Sequence, residues 1–394
     1  MAQHPVSRRG FLKTLGGASA LVAVGAAGAL TWRAADQGVF SSNRGPAYDA
    51  WQVWNDEAGG VPLNLVRAAV LAASAHNTQP WLFRVTPNRV DLYAVTARNI
   101  GTIDALRREM YISLGCALEN LVLAADAHGL RSSVQLMPDT GAPTFAARID
   151  LAAGTRSSSP LYQAIPKRHT NRAGYAGRPV AAQTLTAMEA LIDTPDVGVV
   201  WLTSDSEKRA FREQTVRATK AIIADPEQAA DDFAWYPRDW RALQAKKDGV
   251  TLDAAGISPV LRTLGKVLGV SRDQSDQGWL SATRDSQLPT ASAFGTLVIH
   301  QAADNAQRIQ AGRVWQRMHL WATNQGLAMQ PLNQVVERAE REQTAGLRPD
   351  FTTEVAAMIP EAGWHAVMPF RIGYPMVDAL GSPRRPAEDV VVRG

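Results

Sequence analysis

A helical pattern that occurs twice is the feature that most restricts how this chain can fold. From Arg107 to Gly129 the apolar positions Tyr111, Leu114, Leu118, Leu121, Val122 and Ala125 recur at helical spacing, and Gly129 stands where a C-terminal cap belongs. The segment from Gly312 to Leu327 repeats it, with Gly115 matching Gly312, Leu123 matching Leu320, Ala125 matching Ala322, and Gly129-Leu130 matching Gly326-Leu327. Five identities in sixteen positions exceed the roughly one that ordinary composition would give. An earlier pair points the same way. The passage VRAAVLAASAHNTQPWLFRVT can be laid on TAMEALIDTPDVGVVWLTS, with Val70 against Leu191 and Ala69 against Ala190. The offset is 121 residues there and 197 for the later helix, so an insertion of about 76 residues is expected between about Ser204 and Leu288.

Short strands are predicted between the helices, at Trp81 to Val85, Val90 to Val95, Val197 to Thr203, Thr296 to His300 and Phe370 to Tyr374. Helices dominate, with one antiparallel or mixed sheet expected per half, which is an α+β class. The insertion opens helical and charged, SEKRAFREQTVRATKAIIAD, then turns to aromatics and breakers, FAWYPRDW and GISP. Such a mixture suits a lid over a site better than a core. The expected division is residues 1–40 as export signal and linker, 50–155 as a first half, and 156–394 as a second half with the insertion at about 204–288.

The 394 residues, 46% hydrophobic, suffice for two domain-sized units. The net charge of +4 includes Arg8, Arg9 and Lys13, and no basic stripe with interleaved aromatics points to nucleic acid. Those three cations fall in SRRGFLK, Ser7 to Lys13, ahead of a weakly apolar run from Leu15 to Leu30. Paired arginines before a soft apolar stretch make a twin-arginine (Tat) export signal, with Ala27-Gly28-Ala29 as a small-residue cleavage site. The expected location is therefore exported, periplasmic or membrane-associated through an uncleaved signal, with the Tat export machinery as a partner. Cys116, the one cysteine, has no disulfide partner and reads as a small buried residue.

Scattered histidines without H-E-x-x-H give no metal site, no G-x-S-x-G elbow supports a serine hydrolase, and no G-x-G-x-x-G follows a candidate strand. Three polar segments remain. ASAHNTQPW, residues 73 to 81, packs Ser74, His76, Asn77 and Gln79 beside Trp81 directly after an apolar helical run. KRHTNRAGY, Lys167 to Tyr175, follows the short helix LYQAI and gathers guanidinium forks with a hydroxyl, a suitable anion cradle. SPRRP, Ser382 to Pro386, holds two further arginines between prolines.

In this order the segments resemble the nitroreductase superfamily of FMN flavoproteins, and specifically its Acg-type members, in which two nitroreductase-like halves are fused. KRHTNRAGY resembles the family's phosphate and pyrimidine motif. SAHNTQPW resembles the S-x-x-N-x-Q-P-W motif that reaches the flavin from the partner subunit. GLAMQPLNQ, Gly326 to Gln334, resembles the segment near flavin N5, and FRIGYP with SPRRP resembles the terminal strand and phosphate-binding arginine. The resemblance runs from about Leu63 to Val392 apart from the insertion.

What the resemblance implies is an intramolecular pseudo-dimer with a helical lid inserted in its second half. The first half keeps only the amide-tryptophan motif and the second only the basic one, so one FMN site per chain is expected where the halves meet. Arg168, Thr170 and Arg384, with Arg385, would hold the phosphate, and His169 belongs to the same motif. Arg172 would stand beside flavin N1 and O2 and tune its potential. Ser74, His76, Asn77 and Gln79 would meet the flavin from the other half, with Trp81 structural. Asn333 and Gln334 replace the family's acidic-glycine pair near N5. No protein residue is expected to act as catalyst, and no metal is implied. The expected activity is two-electron transfer between flavin and a small planar or electron-poor molecule, nitroaromatic or quinone in type. The alternative is an exported FMN-binding or storage protein with little turnover. A monomer, or a weak homodimer, is expected.

Overall fold

The computed structural model describes residues 29–56, 60–359 and 361–393, so the signal motif at Ser7 to Lys13 and most of the apolar run lie outside the described residues. The first sheet is built from β1 (Trp81–Thr86), β2 (Arg89–Ala94), β3 (Leu130–Leu136), β4 (Phe145–Ala153) and, parallel to β1, the C-terminal strand β10 (Val391–Arg393). The second uses β5 (Tyr175–Ala176), β6 (Val197–Leu202), β7 (Ala293–Ile299), β8 (Ala328–Pro331) and β9 (His365–Pro375).

Helices α1 (residues 29–36), α2 (Val61–Ala69) and α3 (Arg108–Ala127) belong to the first half of the chain, followed by α4 (Pro160–Ala164) and α5 (Ala182–Glu189). Between β6 and β7 lie α6 (Asp205–Ala224), α7 (Pro226–Phe233), α8 (Trp240–Lys246), α9 (Pro259–Leu268), α10 (Arg272–Ala282) and α11 (Leu288–Thr290). Then come α12 (Asn305–Asn324), α13 (Gln334–Ala345) and α14 (Asp350–Ala357).

The two sheets share a strand order, β1-β2-β4-β3 in the first and β6-β7-β9-β8 in the second. In the first, β1 and β2 are joined by the two-residue turn Pro87-Asn88; in the second, the same connection carries all of α6 to α11. The strands at 130–136 and 145–153 were not expected from the sequence. β3 alternates half-buried and exposed residues with Arg, Ser and Gln outward, and β4 is rich in Ala, a weak strand former. Their pairing in the sheet, with β4 between β2 and β3, outweighs local propensity.

Helices α3 and α12 cross at the centre, and their contacts are reciprocal. A Cβ on Gly115 would stand 2.0 Å from the Ile309 carbonyl oxygen, and one on Gly312 would stand 2.0 Å from that of Ile112. Only glycine permits backbones this close. Around the crossing, Gln316 Nε2 donates to Asn120 Oδ1 at 2.9 Å and the Arg317 guanidinium holds Glu119 at 2.9 and 3.3 Å. Cys116 is buried there as expected, its Sγ donating to the Gly312 carbonyl.

Residues 29–40 pack against the insertion: Arg33 Nε donates to the Val267 carbonyl, Lys266 Nζ to that of Gly38, and Gly38 lies against the Trp240 ring. The insertion is not uniformly a flap. Phe211 and Ala218 of α6 bury into a second core with Leu288, Phe294 and Val335, because this helix carries an apolar stripe along its charged sequence.

Candidate functional site

ASAHNTQPW leaves α2 through an unusual backbone path. His76, Asn77 and Gln79 have φ of 45°, 56° and 52°, a left-handed region that costs non-glycine residues about 1–2 kcal/mol each. Local hydrogen bonds hold the path: the Gln79 N–H donates to Ser74 Oγ at 3.1 Å, and the Ala75 N–H to Ser113 Oγ at 3.0 Å. Trp81 is fully buried in the core.

The two amides act as clamps. Asn77 Nδ2 donates to the Gly249 carbonyl at 3.2 Å and to that of Pro383 at 2.9 Å, while the Gly249 N–H returns a bond to the Asn77 carbonyl at 3.3 Å. Gln79 Nε2 donates to the Lys247 carbonyl at 2.8 Å, and its Oε1 accepts from the Arg385 N–H at 2.7 Å. In this structure the side chains of Asn77 and Gln79 tie the insertion and the C-terminal segment onto the first half. Arg385 joins the same seam, with Nη2 donating to the Asp389 carbonyl at 3.0 Å.

KRHTNRAGY is pinned from below by Arg371, which lies wholly buried in β9. Its guanidinium donates to the carbonyls of Asn171 at 3.2 Å, Ala173 at 2.7 Å and Gln287 at 2.8 Å, and to Gln330 Oε1 at 2.7 Å, with its face over the Tyr175 ring. A charged residue inside an otherwise apolar strand was the sequence signal for it, and sequence reading passed over it.

Behind this loop sits a group of buried cations. Arg168 donates through Nη2 to the Leu71 carbonyl at 3.2 Å, and Arg384 through Nη2 to that of Ala72 at 3.1 Å and through Nη1 to Asn77 Oδ1. Among the described residues, the Nε of each is buried without a partner and neither pairs with a carboxylate. Burial pushes the Arg168 guanidinium down to about 10. It holds Arg384 well below the usual arginine range, with the Arg168 charge adding to the effect. Burial and the two guanidiniums push His169 down to about 3, so it is neutral; its ring lies 4.6 Å from that of Trp51, which also stands under Arg384. Buried cations without counter-ions are costly unless an anion completes the site.

A cavity of about 2130 Å³ reaches this loop at Thr170 and Arg172, while Arg168, His169, Arg384 and Arg385 are not among its lining residues. It exceeds the ~300–1,000 Å³ of an ordinary small-molecule site, leaving room for a cofactor and a second molecule. Ser74, His76 and Glu109 line it from the first half, and Thr170, Arg172, Asn333 and Gln334 from the second. Among the described residues no carboxylate pairs with Arg172; its Nη1 donates to the Ala254 carbonyl at 3.2 Å, and burial lowers its pKa. Asn333 Oδ1 and Gln334 Oε1 are buried and unpartnered.

The structure adds residues that the sequence did not single out. Asp232 of α7 takes His76 Nε2 at 2.6 Å across the cavity wall, and although burial opposes the charge, that bond and the Asp232 carboxylate raise the His76 pKa. Glu337 faces Glu109; burial and that neighbour push Glu337 well above the usual carboxylate range. Asp104, which caps α3 by accepting from the Glu109 and Met110 N–H groups at 2.9 Å, is raised to about 7 by burial and then by Glu109 and Glu340.

No protein-family model matches the chain. Among curated proteins, Rv3131 of Mycobacterium tuberculosis H37Rv, provisionally named an NAD(P)H nitroreductase, is 26% identical over 328 residues, covering 82% of this chain and 87% of its own. The acg protein of the same organism, named likewise, is 29% identical over 142 residues, 34% of this chain and 42% of its own. Solved structures with some likeness include the FMN- and NADPH-dependent nitroreductase NfnB of a Sphingopyxis strain, 17% identical, covering 59% of this chain and 97% of that one, with a TM-score of 0.37. NfnB of Mycobacterium smegmatis, solved with NADPH, is 18% identical with coverages of 58% and 96% and a TM-score of 0.35. The similarity to Rv3131 runs through most of both chains.

Proposed function

We propose that this chain is an FMN-dependent oxidoreductase built from two fused nitroreductase-like halves, with one flavin site where they meet. The observation that carries the reading is the pair of buried guanidiniums, Arg168 and Arg384, each with an unpartnered Nε and no carboxylate. A ribityl phosphate is the kind of anion such a pair requires, and Thr170 lies two residues further along the same loop at the cavity. Arg172 would hold a fixed positive charge against the pyrimidine edge, and the amides of Asn333 and Gln334 offer free oxygens to flavin N–H or substrate groups. Bound FMN supplies two-electron transfer to or from a small planar substrate. The protein's part is to bind it, hold Arg172 dry and wall the cavity with the insertion.

The fused-halves reading is supported by the matched strand orders, by the reciprocal approach of Gly115 and Gly312, and by the crossing of β10 onto the first sheet. One site per chain is supported by the sequence before Leu63, which carries no R-H-S/T segment. Export through the twin-arginine signal belongs to the same proposal.

A storage role is the second reading, favoured by the bonds of Lys247 and Gly249 to Gln79 and Asn77, which hold the insertion over the site. Reduction of the flavin-loaded chain with dithionite, then mixing with nitrofurazone or menadione, separates the two. Rapid reoxidation supports the enzyme, and slow reoxidation by both supports storage. A chain that binds no FMN overturns both.

A further inference from the structure

Helix α9 is oriented opposite to the usual surface helix. Val260, Leu261, Leu264 and Leu268 fall on one face by their spacing and are 49–72% exposed. Its cations turn inward instead: Lys266 Nζ pairs with Asp253 at 2.8 Å and Arg262 Nε at 3.5 Å, while Asp253 is buried. Helix α1 lies alongside, held by Arg33 on the Val267 carbonyl, and adds Leu30 and Trp32, 57% and 66% exposed. A contiguous apolar surface of this kind marks an interaction site.

We propose that this α1–α9 face docks on a lipid bilayer, and that the cavity takes a lipophilic substrate through it. Three observations favour lipid over a protein partner. The apolar run Leu15 to Leu30 enters α1 directly and ends on this face at Leu30, so any insertion of that run into a membrane sets the face at the membrane surface. Trp32, with Arg33 next to it and Arg272 just beyond α9, is the aromatic and cationic fringe that favours the headgroup zone of anionic lipid. Leu261, Leu264 and Leu268 also line the same cavity as Thr170 and Arg172, so the apolar face is continuous with that cavity. The docking stands on these exposed residues alone; the passage of substrate rests on the flavin reading above.

The test uses the full chain carrying Leu264→Cys, labelled with a bimane; Cys116 is buried and its thiol is pushed up to about 12, so it stays unlabelled. A second sample carries the label at Asn88→Cys, in the exposed β1–β2 turn. Vesicles of phosphatidylcholine and phosphatidylglycerol with nitroxide-bearing acyl chains are added. The account expects quenching at position 264, at least threefold stronger than at 88, and loss of that quenching in Leu261→Asp/Leu268→Asp. Vesicle binding with position 264 unquenched would mean that residues 1–28 alone anchor the chain, and would overturn the docking, as would absence of binding. For the passage of substrate, dithionite-reduced, flavin-loaded chain is mixed with the same vesicles containing a long-chain quinone. Reoxidation at least tenfold slower in Leu268→Asp than in the parent supports it, and equal rates overturn it. The quenching result does not depend on flavin, so failure of the flavin reading and failure of the docking are told apart.

Discussion

Gly115 and Gly312 meet at the crossing of α3 and α12, so close that a Cβ on Gly115 would stand 2.9 Å from the Gly312 Cα. The two residues lie 197 positions apart, as do Ile112 and Ile309, whose carbonyls they approach. An exchange of roles between equivalent positions is what a two-fold interface between like halves produces. Gly115→Ala and Gly312→Ala should therefore each lower stability by about 1–3 kcal/mol, the usual effect of overpacking a tight contact. Urea unfolding midpoints measure this, and equal losses at the two positions are expected.

Arg168 and Arg384 should affect flavin and folding in opposite directions. Replacing either by Met removes a buried cation with no counter-ion, so the apo chain should be as stable as the parent or more so. The same change removes a charge-assisted contact worth about 1.5–3 kcal/mol, so FMN should bind roughly 10- to 150-fold more weakly. Denaturation of apoprotein and fluorescence titration with FMN measure the two effects separately.

Arg172 lines the cavity, and no carboxylate pairs with it among the described residues. Arg172→Gln should make the potential of the bound flavin more negative, by at least ~30 mV, which corresponds to about 1.4 kcal/mol for two electrons. A spectroelectrochemical titration reads it directly. An unchanged potential would remove Arg172 from the flavin's surroundings.

The acidic group beneath the cavity sets a pH dependence. Asp104, raised from 3.8 to about 7, and Glu337, raised well above 4.5, have folded-state values above their unfolded ones. Their contribution is fully present below the unfolded values and is lost as pH rises through the folded ones. Stability should fall between about pH 4 and pH 7, each group contributing up to about 1.4 kcal/mol per pH unit within its window. Glu337→Gln keeps the shape and removes the charge, so the midpoint against pH should be flatter in that variant.

His76 and Asp232 close the seam between the first half and α7. Because the His76 pKa is raised, the charged pair is present below its ordinary value and is lost as pH rises through the raised one. His76→Asn should therefore speed proteolytic nicking in the segment 234–250 by about tenfold, the effect of losing some 1.4 kcal/mol of closure. The difference between variant and parent should shrink at high pH.

The two long central helices and the mixed α+β character were legible because a long buried helix leaves a strong periodic pattern. β3 and β4 were not, since Arg, Ser, Gln and Ala carry little strand signal and pairing decides their state. At the site, Ser74, Thr170, Arg172, Asn333 and Gln334 do come together at one cavity. Asn77 and Gln79 do not face it, because each amide finds backbone partners in segments more than 160 positions away, which no local pattern encodes. Asp232 and Glu337 were missed for the same reason: a carboxylate in a charged helix looks like a solvated one until the fold buries it.

The central claim is one flavin site per chain, completed by both halves. Titration of the purified apo chain with FMN, followed by flavin fluorescence and by flavin-to-protein ratio after gel filtration, tests it most directly. Saturation at one FMN per chain is expected, with binding weakened by Arg384→Met. Saturation at two per chain, or no binding at all, would contradict it.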